Sequence, residues 1–370
     1  MNRNSPSIRS LALATLLAML ALAQSACSDD PLKLGDVENY TVKRDTVWKA
    51  GSPIIVRGTM RVEKGATLRI EAGTRVQFAT DAQLVVGKET TANLRVEGTA
   101  ENPVIFESRS KEGWSGIRLM KTGNNTLIKH LQIKGGGDNS SPALGIAKLS
   151  FAVEGLEISA SRGLGLSIAR VEPGASLSNL SLESENHPLA ISPGVLGLLP
   201  ANLDIKTGKG RGIQISGGMA KAERLDFKYK DYYISGPVSL NASHLNMGPN
   251  VTFHCEPKSS IIVGEEFPTI FTCRKCVFTS TAKEKKQGQW AGLQLKENTQ
   301  PSSVIENCTV EAGGGYGANA GLAIIKVNGI LVKNSLFQFN RGAGIGCQGC
   351  NIHSEGNRFF ENTNNRVAQL

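Results

Sequence analysis

The feature that most constrains this chain is a recurring apolar–polar–apolar triplet. Leu131-Gln-Ile133, Leu156-Glu-Ile158, Leu180-Ser-Leu182, Leu203-Asp-Ile205, Leu225-Asp-Phe227 and Leu245-Asn-Met247 follow at steps of 25, 24, 23, 22 and 20 residues. Residues i and i+2 of a strand share a face, so each triplet buries one face and wets the other. A strand every 20–25 residues, with Gly, Asn and Ser between, predicts the coils of a solenoid, in which each coil pairs its backbone with the next. A β-sandwich accounts for short strands, but its turn signals recur about every 8–12 residues and leave the longer step unexplained. Leucine-rich repeats share the step, but their Leu and Asn framework is missing. Composition agrees: 41 Gly and 5% aromatic residues suit short strands and tight turns, and 40% hydrophobic residues suffice for a core.

A longer repeat encloses the short one. Phe106-Glu-Ser108 recurs as Phe278-Thr-Ser280, and Trp114-Ser-Gly-Ile117 as Trp290-Ala-Gly-Leu293. Gly135–Gly137 recurs as Gly313–Gly315, and Arg162-Gly-Leu-Gly165 as Arg341-Gly-Ala-Gly344. Order is preserved and the offsets stay between 172 and 179, which chance matches would not achieve. The expected organisation is a first cassette over 40–195 with connecting coils to 232, then a second over 233–370, continuous with the first. The second is shortened after Gly264, where Leu94–Ala100 has no counterpart.

Several segments carry a family resemblance. Gly65-Ala-Thr-Leu68-Arg-Ile70-Glu-Ala-Gly73-Thr-Arg-Val76-Gln-Phe78 resembles an opening coil of bacterial right-handed parallel β-helix proteins of the pectate-lyase-like superfold. Leu94–Phe106, Gly113–Ile117 and Asn351–Asn362 continue the pattern. The resemblance implies an all-β, right-handed parallel β-helix over residues 40–370, of about fifteen coils stacked about 4.8 Å apart. The polar tail Glu361–Arg366 is expected to cap the last coil, whose edge would otherwise be open. Activity does not follow, because this architecture hosts many functions.

Polysaccharide lyases and polygalacturonases of this fold place their chemistry on outward strand positions, where carboxylates hold Ca²⁺ or act as acid and base. The matching positions here are Glu157, Asp204 and Asp226, with Lys206 and Lys228 two residues beyond the two aspartates. In uniform register Asp204 and Asp226 would lie about 5 Å apart, a candidate glycan or Ca²⁺ site. The bland alternative is a surface ladder of ion pairs. The Asp-Asp and arginine motifs of those enzymes are not recognisable, and Asp29-Asp30 lies outside the coils, so no catalytic residue is assigned. His130, His187, His244, His254 and His353 show no ligand spacing, Trp114 and Trp290 fit turns better than sugar platforms, and Gly135–Gly137 reads as a turn.

The first residues concern address. Arg3 and Arg9 precede an apolar run from Leu11 to Ala23, the layout of a secretory signal peptide over residues 1–26. Gln24-Ser25-Ala26-Cys27 resembles the lipobox of bacterial lipoproteins, although that family usually has Leu in place of Gln24. It implies acylation of Cys27, a polar tether over 27–39 and, with Ser28 rather than Asp next, the outer membrane. Loss of residues 1–26 removes two Arg and no acid, leaving 39 cations against 32 acids, or +7. That excess suits acidic polysaccharide or lipopolysaccharide, and no nucleic-acid motif accompanies it.

Cys255, Cys273, Cys276, Cys308, Cys347 and Cys350 all fall in the second cassette. An even count in an exported chain favours disulfides. Cys255 and Cys276, one short coil apart, are expected to stack, Cys347 and Cys350 to pair locally, and Cys273 and Cys308 to remain. Cys273-Arg-Lys-Cys276 and Cys347-Gln-Gly-Cys350 would also suit a metal, but their separation is far longer than a zinc ribbon's. The expected protein is a non-catalytic outer-membrane β-helix lipoprotein, facing periplasm or exterior, that binds a glycan or envelope component and needs no cofactor. The alternatives are a lyase or hydrolase of acidic polysaccharide, and an adhesin or protein scaffold.

Overall fold

The computed structural model describes residues 36–207 and 211–370, with Asp36–Leu370 forming one compact unit. Strands pair in parallel with the coil before and the coil after, on three faces of a solenoid. The first sheet spans Asp36–Glu38 to Asp204–Thr207, and the third spans Met219–Phe227 to Asn364–Gln369. The second sheet runs the whole length, in 14 strands from Thr41–Val42 to Arg358–Phe360. The coils are fewer than about fifteen because their lengths vary more than the triplets suggest. Leu84 pairs with Ile117, 33 residues on, and Ile213 with Tyr232, 19 residues on.

The alternation builds the core as columns. Leu131, Leu156 and Leu180 stack in successive coils, as do Ile133, Ile158 and Leu182, all essentially buried. Each such side chain contributes about 1.5–3 kcal/mol on burial. Corners are made by left-handed residues: His130, Gly155 and Asn179 in three consecutive coils, with φ of 45°, 66° and 51°. Lys275, Asn307, Asn334 and Gly356 do the same between the third and second sheets, at φ of 52° to 62°.

The triplet ladder is not one ladder. Gln132, Glu157, Ser181 and Asp204 stand in register on the first sheet, which ends there. Leu225-Asp-Phe227 belongs to the third sheet and pairs with Leu245-Asn-Met247. The 3-10 helix Pro193–Leu198 precedes both in the chain and packs against the strand Met219–Phe227. The Tyr229 hydroxyl donates to the Pro200 carbonyl at 2.6 Å. Pro193 and Pro200 bracket the helix and lack the N–H donors a ladder needs, so no strand forms over that stretch. The tail also departs from expectation: Asn364–Gln369 is no cap but a further strand, paired with Ala343–Gln348.

The long repeat survives with a rotation. Trp114 and Trp290 are both buried, and each donates its indole N–H to a backbone carbonyl in the next coil, of Lys134 at 3.3 Å and of Glu311 at 2.8 Å. Yet Trp114 precedes a strand of the second sheet, Ile117–Leu119, while Trp290 precedes a strand of the third, Gly292–Leu295. The offset is therefore seven coils plus one face, which accounts for a repeat of 172–179 residues.

Candidate functional site

The five outward residues expected to form a site each take local partners. Asp204 and Asp226 lie on strands with no backbone pairing between them. Glu157 accepts from Gln132 Nε2 at 3.0 Å, and Asp204 from Ser181 Oγ at 3.0 Å with Lys206 Nζ at 3.5 Å. Asp226 accepts from Arg224 Nε and Asn246 Nδ2, each at 2.8 Å, and the Arg224 guanidinium holds its carboxyl below the usual range. Lys228 contributes its backbone N–H to the Tyr232 hydroxyl at 3.1 Å. These are locally paired polar groups on a solvated face. Cys27 and the signal segment lie outside the described residues.

Two of the cysteine pairings are resolved. Cys347 and Cys350 are bridged. Cys255 and Cys276 are not, because Cys255 is in register with Ser280, and the 21-residue spacing falls short of this coil's 25. Cys276 lies instead with Cys273 and Cys308 in one buried cluster.

A trough of about 670 Å³ lies on the outer face of the third sheet. Its floor is a row in register, Gln294, Ala323, Gly346 and Ala368. Ala320, Ala323 and Ala343 form an apolar cluster separate from the main core, with Ala368 packed on it. Gly346 leaves room for the Leu370 side chain, whose Cδ atoms would stand 2.6 Å from any Cβ there. One rim carries Tyr316, which is 54% exposed and held at φ 52° in the loop Gly315–Asn319. Lys296, Asn319, Gln348 and Asn364 also line it. Small residues let an extended ligand lie close to the sheet, amides supply donors and acceptors for hydroxyls, and Lys296 supplies one positive charge. Among the described residues no Asp, Glu or His lines the trough, so its wall offers amide, hydroxyl and amine hydrogen-bonding groups. A smaller hollow, about 260 Å³, lies on the second sheet between Ser167, Ala190 and Ser216.

Sequence reasoning passed over the trough because Ala320–Ile325 and Ala343–Gln348 are small or apolar at both strand parities and read as core. That loss of alternation was the available signal, since it marks a strand covered or recessed on both faces.

The fold makes this chain a parallel β-helix repeat protein. The model of the pectate-lyase-like β-helix domain matches residues 40–141, a little over a quarter of the chain and wholly outside the trough. No curated relative and no solved structure matches.

Proposed function

We propose that this protein is an exported β-helix, anchored to the outer membrane through acylated Cys27, that holds a glycan chain in the third-sheet trough without cleaving it. The trough itself carries the reading. An open floor of alanine and glycine, edged by amides, an exposed tyrosine and one lysine, suits the hydroxyls and flat faces of a polysaccharide. The net positive charge after export favours an acidic polymer.

Affinity electrophoresis of the full chain in detergent, through gels containing acidic or neutral polysaccharide, tests it. The expected result is retardation by an acidic polymer, weakened about 3–10-fold by Tyr316→Ala or Gln348→Ala, the loss of one or two net contacts. Cleared polymer around the band would replace this reading with a lyase or hydrolase. Unchanged migration in every gel would end it in favour of a protein partner. Palmitate labelling lost in Cys27→Ser checks the anchor in the same host.

A further inference from the structure

Three cysteines meet at one inner corner of the solenoid. Cys273 lies on the strand Ile270–Arg274, Lys275 turns the corner at φ 52°, and Cys276 precedes the strand Val277–Ser280. One coil on, Cys308 occupies the place above Cys276: Val277 pairs with Thr309, whose N–H donates to the Cys276 carbonyl at 2.9 Å. Their sulfurs all lie within 4.8 Å of one another, with Cys273 and Cys308 Sγ 3.6 Å apart. All three are at most 2% exposed.

The surroundings favour one centre rather than three packed thiols. On the outer side of the corner Arg274 and Lys333 share a single carboxylate, Glu306, at 3.2 and 3.1 Å, and exposed Lys275 adds another cation. The positive excess there offsets thiolate charge.

We infer that Cys273, Cys276 and Cys308 bind one soft monovalent cation, copper(I), through three thiolate sulfurs. Soft thiolates select copper(I) and zinc. Zinc requires a fourth ligand, and among the described residues no further Cys, His or carboxylate joins the cluster. The burial also leaves little access for a water ligand. Three sulfurs each about 2.3 Å from a central ion lie about 4 Å apart, which the native spacing approaches. Binding changes no oxidation state: the ion displaces one proton from each thiol it takes as a ligand. The site is independent of the glycan trough.

The test uses the reduced full chain, kept anaerobic with a non-thiol reductant and titrated with copper(I) against a chromophoric chelator. One ion per chain is expected, with X-ray absorption showing three sulfur neighbours and no light-atom ligand. Cys273→Ser, Cys276→Ser and Cys308→Ser should each weaken binding more than about 100-fold, beyond the loss from removing an outer-shell partner. Cys255→Ser and the Cys347→Ser/Cys350→Ser double variant should bind as the parent does. The unmutated chain should also gain thermal stability with one equivalent of copper(I), a readout independent of whether the variants fold. Binding unchanged in the Cys273→Ser/Cys276→Ser/Cys308→Ser triple variant, a two-sulfur shell, or no thermal shift would overturn the inference. So would a Cys273–Cys308 bridge in protein isolated with its thiols blocked.

Discussion

Glu63 shows how much one side chain can organise in a coil. Its carboxylate accepts the backbone N–H groups of Lys88, Glu89 and Thr90 at 2.9, 3.2 and 2.9 Å, and the Thr90 hydroxyl at 3.0 Å. It thereby pins the turn between the strands Gln83–Val86 and Asn93–Glu97. Burial opposes the charge, but these donors outweigh it and hold the carboxyl below its usual range. A depressed carboxylate stabilises the fold fully above its unfolded value, and that contribution fades as pH falls through the folded one. Glu63→Gln should therefore cost about 1–3 kcal/mol at neutral pH. Urea midpoints of the two proteins should converge in acid, and a gap that persists there would show that the cost comes from packing instead. Nothing in Val62-Glu63-Lys64 announces this role, because the partners stand 25 to 27 residues away on a loop whose path the sequence does not encode locally.

Elements are joined by polar stitches as well as by columns of Leu and Ile. Buried Asn340 accepts from the Gly313 N–H at 2.8 Å, and its Nδ2 donates to the Val310 carbonyl at 3.0 Å and to Asn362 Oδ1 at 2.9 Å. Asn362 in turn donates to the Phe337 carbonyl at 2.8 Å, so two amides tie three coils. Asn340→Leu keeps the volume but strands a buried N–H and a carbonyl, and should cost about 3 kcal/mol. Hydrogen exchange should then quicken across Val310–Asn362, and an effect confined to Asn340's own coil would contradict the stitch. The strands were legible in the sequence because alternation at period two distinguishes inward from outward positions. It does not say where backbone pairing breaks, so Leu225-Asp-Phe227 read as paired with Leu203-Asp-Ile205 although no ladder joins them. The corners at His130 and Asn179 were equally hidden, since a left-handed residue other than glycine leaves little sequence trace. The thiol cluster was missed for a related reason, a coil of 32 residues separating Cys276 from Cys308 where the triplets suggested 20–25.

At the scale of the whole molecule, stability accumulates by nearest-neighbour contact along one axis. A coil with neighbours on both sides should resist opening more than the last coil, whose strand Asn351–Glu355 is largely exposed. Leu156→Ala, in mid-solenoid, is expected to cost about 2–5 kcal/mol, and Ile352→Ala on the last coil markedly less. Denaturant melts would measure both, and equal losses would argue against additive, coil-by-coil stability. The rotation between the two copies has a consequence for any polymer that uses them both. The hollow at Ser167, Ala190 and Ser216 and the trough at Gln294, Ala323 and Gly346 look out at different azimuths around the axis, several coils apart. A straight fibre laid along the flank meets only one of them. A chain engaging both must wind around the shaft like thread on a screw, so its stiffness, and not its chemistry alone, would decide which polymers fit.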